Sequence, residues 1–221
     1  SFDCAKSVYC SDRKVLRFDG IDTIADVYLN GEMIGSPDNM HRTWEYDVTE
    51  EVKEKGNELR IVFHSPNKYI AEAFQVSKTH GSEDAMDGFV NIRKAHCMFG
   101  WDWGAHLPDA GLFRPVTLLG VDEARIDSVY VTQEHANGKV TLHFAVDVDC
   151  CPEMEDPSGM WNAETEEVSE NEADPQESGL YYTVKVTAPD GIQVHATGSP
   201  EQLVIENPQL WWPNGYGRQD L

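Results

Sequence analysis

The chain has 221 residues, of which 40% are hydrophobic and 10% aromatic, and its formal net charge is −22 at pH 7. This composition supports one large or two modest domains with real hydrophobic cores and excludes a disordered chain. So acidic a surface repels phosphate groups and anionic lipid headgroups, and we therefore expect neither nucleic-acid nor membrane binding. No apolar run is long enough to span a bilayer. The pattern of a secretory signal, a charged start followed by an apolar stretch, is not seen, so no such signal is predicted.

The five cysteines predict reduced thiols in a cytoplasmic protein. Their number is odd, and their spacing matches neither a disulfide framework nor a zinc site. Cys4 and Cys10 could pair if they lie on neighbouring strands, but buried, unpaired thiols are the simpler interpretation. We expect no metal ion and no other cofactor.

Alternation of apolar and polar residues predicts strands through the first half of the chain, at residues 15–18, 25–29, 44–48 and 58–63. Asn30-Gly31 lies between two apolar runs and predicts a tight hairpin, because both residues tolerate positive φ. Thr49-Glu50-Glu51-Val52 predicts a short helix with a hydroxyl N-cap and early acids.

Residues 67–88 lack strand alternation and predict a short helix followed by a long loop. Loops of this length inside a compact domain are usually functional. A turn and a closing strand are predicted over residues 111–120, and the strand pattern restarts at Ile126 after a boundary near residues 121–123.

Short strands fill the second half of the chain, at residues 126–132, 140–148, 181–187, 193–197 and 201–205. This spacing predicts a sandwich of the immunoglobulin type, so the whole chain is expected to be all-β. Residues 151–179 are rich in Asp and Glu and contain no Lys or Arg, which predicts a solvated insertion between two strands. A calcium site is the alternative, but the ligand spacing that it needs is not present.

Trp101-Asp102-Trp103 is the segment whose residue types point most directly to chemistry. An aromatic ring can cover the C–H face of a sugar, and a carboxylate accepts hydrogen bonds from neighbouring hydroxyls. Successive side chains of a strand point to opposite faces, so the three residues serve one ligand only if the segment bends. Gly100 and Gly104 on either side allow such a bend. The alternative is that both tryptophans belong to the core.

Arg93 and Lys94 form a basic pair in an otherwise acidic stretch. They could orient Asp102 or reach a ligand, and a plain surface pair on an edge strand is the alternative. His96 and His106 flank the segment, but neither has a partner at metal-ligand spacing.

No catalytic arrangement is predicted within the chain. Retaining glycoside cleavage needs a protonated acid and a carboxylate about 5 Å apart. None of the many acids stands at the end of a barrel-type βα unit. The sequence also lacks a Gly-x-Ser-x-Gly turn and a phosphate-cradling Gly-rich loop.

Several motifs carry a resemblance to a known family. Residues 15–31 resemble the sugar-binding domain of family 2 glycoside hydrolases. Within that family, four segments are similar to β-mannosidases: Asp19-Gly20-Ile21-Asp22-Thr23, Asn39-Met40-His41-Arg42, Arg93-Lys94-Ala95 and Gly100-Trp101-Asp102-Trp103-Gly104. Residues 206–217 are similar to the stretch that ends the family's immunoglobulin-like domain.

The resemblance implies a jelly-roll, galactose-binding-like β-sandwich over residues 1–122, with its first strand or strands missing. An immunoglobulin-like β-sandwich over residues 123–221 would follow, with the acidic insertion at 151–179. The catalytic glutamates of the family lie in a (β/α)₈ barrel that this chain does not include.

The resemblance also implies a function, namely that of the non-catalytic front part of a retaining β-mannosidase. The Trp-Asp-Trp-Gly loop would reach the barrel's active site and contact a terminal β-mannoside. Asp102 would bind sugar hydroxyls and Trp101 would line the pocket, with Trp103 and Arg93 as further substrate-binding candidates.

Three other interpretations stay open. The chain could belong to another family 2 glycosidase, such as an exo-glucosaminidase or a β-galactosidase. It could be a stand-alone carbohydrate-binding module, or a structural pair of sandwiches whose tryptophans are core. A barrel encoded beyond Leu221 would favour the enzymes, and a stop there would favour the module or the structural pair.

Overall fold

The computed structural model of the chain describes residues 1–100, 104–151 and 180–219. The chain divides into two compact units, residues 1–122 and 123–221. Strands account for most of the regular structure in both units, which confirms the predicted all-β class.

The strands of the first unit pair in antiparallel fashion. They are β1 (Arg13–Phe18), β2 (Ile21–Asp22), β3 (Ala25–Leu29), β4 (Glu32–Gly35), β5 (Trp44–Asp47), β6 (Leu59–Phe63), β7 (Gly111–Leu112) and β8 (Val116–Val121). Their order is β5-β1-β8 in one sheet, β4-β3-β6 in another, and β2-β7 in a short pair. The predicted strands at 15–18, 25–29, 44–48 and 58–63 correspond to β1, β3, β5 and β6.

Every second side chain of strand β3 points into the main core of this unit. In β3, Ala25, Val27 and Leu29 are buried while the residues between them are half-buried. Phe18, Ile21 and the other buried members of this core have almost no exposed surface. Burial of each such large apolar side chain stabilises the fold by about 1.5–3 kcal/mol.

The Asn30-Gly31 hairpin is confirmed. Leu29 pairs with Glu32 across the turn, and the φ angles of Asn30 and Gly31 are 53° and 99°. The Asn30 amide also donates to the Glu51 carbonyl oxygen at 2.6 Å, which ties the turn to a neighbouring loop.

The helix predicted at Thr49–Val52 is wrong, because these residues form a turn. The Thr49 hydroxyl accepts a hydrogen bond from the Lys14 backbone N–H at 2.9 Å. The hydroxyl that the sequence offers as a helix cap therefore satisfies the backbone of strand β1 instead.

Two helices belong to the first unit, α1 (Lys6–Tyr9) and α2 (Pro66–Val76) among its described residues. The predicted helix within 67–88 is confirmed by α2, which begins after Ser65 with Pro66 in its first turn. The Ser65 hydroxyl accepts from the Lys68 N–H at 3.3 Å. Within the described ranges, no helix combines the length and the apolar character needed to cross a bilayer.

A second, smaller core lies beneath α2. It consists of Ile70 on that helix together with Phe89, Ile92 and Phe99, and Ile24 packs against it. Phe89 and Phe99 belong to two 3₁₀ turns, Phe89–Asn91 and His96–Phe99. This small core therefore joins the helix to the segment that leads to Gly100.

The second unit contains a long antiparallel pair, β9 (Ala124–Ala136) and β10 (Lys139–Cys150). The chain continues through β11 (Val184–Thr187) and β12 (Gln193–Ala196), which pair with each other, to β13 (Gln202–Glu206), which pairs with β10. These strands agree with the predicted positions. The immunoglobulin-like assignment stays a prediction, and the acidic insertion lies outside the described residues except for Cys151.

Each of the five cysteines carries a free thiol. Cys4 and Cys151 are buried, Cys150 is half-buried, and Cys10 and Cys97 are exposed. Burial raises the pKa of the Cys4 thiol above its ordinary value, the nearby Lys14 charge opposes that shift, and Cys10 adds to it. A buried thiol of this kind is a poor nucleophile at neutral pH.

Candidate functional site

The candidate site is the loop at residues 95–108 of the first unit. The predicted ligand-binding residues Trp101, Asp102 and Trp103 lie outside the described residues. The structure does describe the two segments that flank them, residues 95–100 and residues 104–108. We call these the first leg and the second leg of the loop.

The first leg packs against the small core. Phe99 has no exposed surface, and its ring centroid lies 6.2 Å from that of Phe89. The His96 ring meets Phe89 edge to face, with centroids 4.9 Å apart. The Phe99 carbonyl oxygen accepts a hydrogen bond from the Met86 N–H at 3.0 Å. These contacts fix the backbone immediately before Gly100.

Gly100 is required by the approach of the second leg. Its φ is +106°, and a Cβ atom at this position would lie 2.2 Å from two atoms of the His106 ring. The glycine therefore lets the imidazole lie directly against the backbone of the first leg. The Leu107 N–H also donates to the Met98 carbonyl oxygen at 3.1 Å. The two legs are thus in contact next to residues 101–103, which they flank.

Arg93 and Lys94 have opposite environments. Arg93 is exposed, and its carbonyl oxygen accepts from the Met40 N–H at 3.0 Å. Within the described part of the chain, the Arg93 guanidinium has no ion-pair partner. Lys94 has no exposed side-chain surface, so the interpretation of the two residues as a surface pair is wrong for Lys94.

The Lys94 ammonium group lies among oxygens from two different segments. It forms an ion pair and hydrogen bond with the Asp22 carboxylate on β2. It also donates to the Asp109 carbonyl oxygen at 2.8 Å, and the Asp109 carboxylate lies 3.8 Å away. Among the described residues, the Lys94 ammonium is therefore held by Asp22 and Asp109.

Asp22 is buried with an exposed fraction of 4%, and it also accepts from the Thr23 hydroxyl. A carboxylate in this position is tolerated because Lys94 neutralises it, and removal of either partner would leave an isolated buried charge. This pair was not predicted from the sequence. The available signal was the run Ile21-Asp22-Thr23-Ile24, in which an acid lies between apolar residues and requires a cation.

A hollow of about 260 Å³ adjoins both legs. It is lined by Ser82, Ala85, Phe89, His96, Cys97, Gly100 and Gly104. The phenyl ring, the hydroxyl and the imidazole of this lining suit a small polar ligand. Among the described residues, no group of His, Cys, Asp or Glu is arranged to hold a metal ion.

The first unit is an all-β domain of the galactose-binding-like class, with a firmly anchored loop at one end of a short strand pair. The sequence profile of the family described as "Glycosyl hydrolase 2 galactose-binding domain-like" matches residues 1–114. This chain belongs to that family.

Known relatives extend the match to nearly the whole chain. Beta-mannosidase B of Thermothelomyces thermophilus is 30% identical over 213 residues, which cover 95% of this chain and 23% of the relative. Beta-mannosidase of Mus musculus is 30% identical over 225 residues, covering 92% and 23% respectively. The crystal structure of a β-D-mannosidase from Dictyoglomus thermophilum matches with a TM-score of 0.73 at 28% identity, covering 99% of this chain and 25% of that chain.

The resemblance to the N-terminal part of β-mannosidases is therefore confirmed. The chain spans 23% of the length of these curated relatives. The similarity extends beyond the residues that the family profile matches and covers both units of the chain.

Proposed function

We propose that this chain is the non-catalytic front part of a retaining β-mannosidase, whose full-length form hydrolyses terminal β-D-mannosides. The observation that carries the proposal is similarity to proteins named β-mannosidase along 92–99% of the chain. The catalytic glutamates would lie in a (β/α)₈ barrel outside this chain. The five free thiols support a cytoplasmic location.

The chain's own contribution is a sugar-contacting loop. Asp102 accepts hydrogen bonds from sugar hydroxyls, and Trp101 covers the C–H face of the ring. Trp103 and Arg93 complete the set of substrate-binding residues. Support comes from the anchored legs on either side and from the exposed position of Arg93. Binding groups on a loop with a fixed base lose less conformational entropy when the sugar binds.

Substrate preference of the full-length enzyme tests the β-mannosidase assignment. An aryl β-mannoside should be hydrolysed with a higher kcat/KM than the matching aryl β-galactoside or β-glucosaminide. Equal or better turnover of either competitor would assign the chain to another family 2 glycosidase.

Substitution of Asp102 in the full-length enzyme tests the role of the loop. Asp102→Ala should lower kcat/KM for the mannoside by about 1.5–3 kcal/mol, or roughly 10- to 160-fold, as expected for a hydrogen bond to a charged group. Glu83→Gln is the matched control, because it removes an exposed acid from the neighbouring loop. Unchanged kinetics for Asp102→Ala would exclude this carboxylate from the sugar site.

The isolated 221-residue chain should hydrolyse nothing and bind free mannose weakly. Half of a pocket offers few simultaneous contacts to offset the entropy lost on binding. Titration with mannose, followed by tryptophan fluorescence, measures this affinity directly. Tight binding by the isolated chain would favour a stand-alone carbohydrate-binding module.

A further inference from the structure

The buried ion pair of Lys94 joins the two ends of the candidate loop. Lys94 immediately precedes the loop at 95–108, and Asp109 immediately follows it. The Lys94 ammonium donates to the Asp109 carbonyl oxygen at 2.8 Å and to the Asp22 carboxylate on β2. We call the contact among Lys94, Asp22 and the Asp109 carbonyl group the Lys94 clasp.

The strand pairing around the Lys94 clasp shows which connection to β2 the clasp supplies. The chain leaving the loop is already tied to β2, because β7 pairs with β2 through Asp22↔Gly111 and Ile21↔Leu112. The chain entering the loop has no strand pairing with β2 among the described residues. Lys94 supplies that link, and both ends of the loop therefore meet at the same short strand.

A charged clasp is not needed for stability alone. An apolar group of similar volume in place of a buried ion pair is often neutral or stabilising, because the attraction only roughly offsets the loss of hydration. A lysine ammonium does provide three directed donors, which an apolar side chain lacks. The buried charge is thus better explained by the geometry that it imposes on the loop.

We propose that Lys94 is a positioning residue for the sugar-contacting loop, an inference that rests on the proposed function of that loop. The clasp sets the separation and direction of the two legs, and the small core and the Gly100–His106 contact carry that geometry toward the sugar. Binding groups displaced by as little as 1 Å can lose most of their effect on catalysis. Lys94 touches no substrate and acts through the backbone that it holds.

The test uses the full-length enzyme and a double substitution, Lys94→Met with Asp22→Asn. Removing both charges together avoids an isolated buried carboxylate, so the variant can fold where Lys94→Met alone can fail. The rate is expressed per active site, which is counted by titration with a mechanism-based inactivator that forms a glycosyl-enzyme. We expect kcat/KM for an aryl β-mannoside to fall roughly 10- to 100-fold.

Val48→Ala is the matched control for lost stability. Val48 is fully buried in the main core, and Lys94, Asp22 and Asp109 are not members of that core. This variant should unfold at a lower temperature yet keep its kcat/KM per active site within about twofold of the unsubstituted enzyme. Hydrogen exchange of peptides covering 95–108 should accelerate in the clasp variant and not in Val48→Ala.

A double-mutant cycle with Asp102→Ala connects the clasp to the sugar. If Lys94 acts through the loop, the clasp substitutions should lower kcat/KM much less in the Asp102→Ala background. Full additivity, or normal per-site kinetics of the clasp variant beside an impaired Asp102→Ala, would refute the positioning role alone. Normal kinetics of Asp102→Ala would refute the proposed function and this inference together.

Discussion

Truncation of Phe99 to alanine tests whether the loop depends on its own small core. The Phe99 side chain has no exposed surface and packs with Ile70, Phe89 and Ile92. Removal of a buried phenylalanine ring costs about 3–5 kcal/mol, depending on how far the neighbours collapse into the cavity. This cluster is small and is flanked by half-buried residues that can move, so we expect a value near the lower end, about 3 kcal/mol.

The assay is hydrogen exchange followed by mass spectrometry on the 221-residue chain, which gives opening free energies for separate peptides. In Phe99→Ala, peptides covering residues 86–100 should lose about 3 kcal/mol of protection, and in Phe99→Leu about half as much. Phe18→Ala is the matched control, because Phe18 is equally buried but lies in the main core. Phe18→Ala should lower the protection of β1 and its partner strands before that of residues 86–100.

Two results would refute this reasoning. A loss below about 1 kcal/mol in Phe99→Ala would mean that the small core does not hold the first leg. An equal loss of protection in β1 and β8 would mean that the two clusters unfold as one cooperative unit, so that the loop has no separate base.

Three further predictions concern Tyr46, His64 and Gly100. The buried Tyr46 hydroxyl has no hydrogen-bond partner among the described residues, and burial raises its pKa from 10.0 to about 12. Because the pKa of Tyr46 is higher in the folded than in the unfolded state, the neutral hydroxyl contributes stability that is lost as the pH rises from 10 to about 12. In urea unfolding, Tyr46→Phe should show a smaller loss of stability over this alkaline range, with a free energy of unfolding at neutral pH that is unchanged or higher. The hydrogen bond from His64 lowers the pKa of Asp26 below 3.8, so its contribution to stability is present above that value and is lost as the pH falls through the folded pKa. His64→Ala should raise the pKa of Asp26 toward 3.8 in an NMR titration, and no change would exclude the hydrogen bond as the main cause. Gly100→Ala places a Cβ against the His106 ring at a positive φ, and it should destabilise the loop by about 1–3 kcal/mol, measured by hydrogen exchange. Adding His106→Ala to this variant should remove the clash with the ring but leave the backbone strain.

Features with local causes were predictable from the sequence. The strands β1, β3, β5 and β6 follow from alternation that is visible within five residues, and the Asn30-Gly31 turn follows from the φ preference of two residues. The helix predicted at Thr49–Val52 failed because its capping hydroxyl serves a backbone N–H that is 35 positions away. Local propensity cannot identify a partner at that distance, since any exposed donor nearby would satisfy the hydroxyl equally well.

The candidate site shows the same division. The glycine at position 100 was predicted to permit a bend in the segment that follows, which lies outside the described residues; Gly100 itself has a positive φ and lies against the His106 ring. The partner of Lys94 was not predicted, because Asp22 lies 72 positions away on another strand. A chain with many acids offers many such partners on paper, whereas in the fold the pairing of β2 with β7 places Asp22 opposite Gly111, two residues after Asp109.

Arg93 and Lys94 are neighbours in sequence but differ in their surroundings. Arg93 takes part in an isolated parallel bridge with Asn39, and its side chain is exposed. The Lys94 ammonium is directed inward to Asp22, and its side chain has no exposed surface. The chemistry of the two cations fits this order, because a compact ammonium can serve acceptors from two segments at once, whereas a planar guanidinium suits carboxylates and paired oxygens presented from outside. A basic dipeptide that looks uniform in sequence thus divides into a buried cation that holds the ends of the loop and an exposed cation beside it.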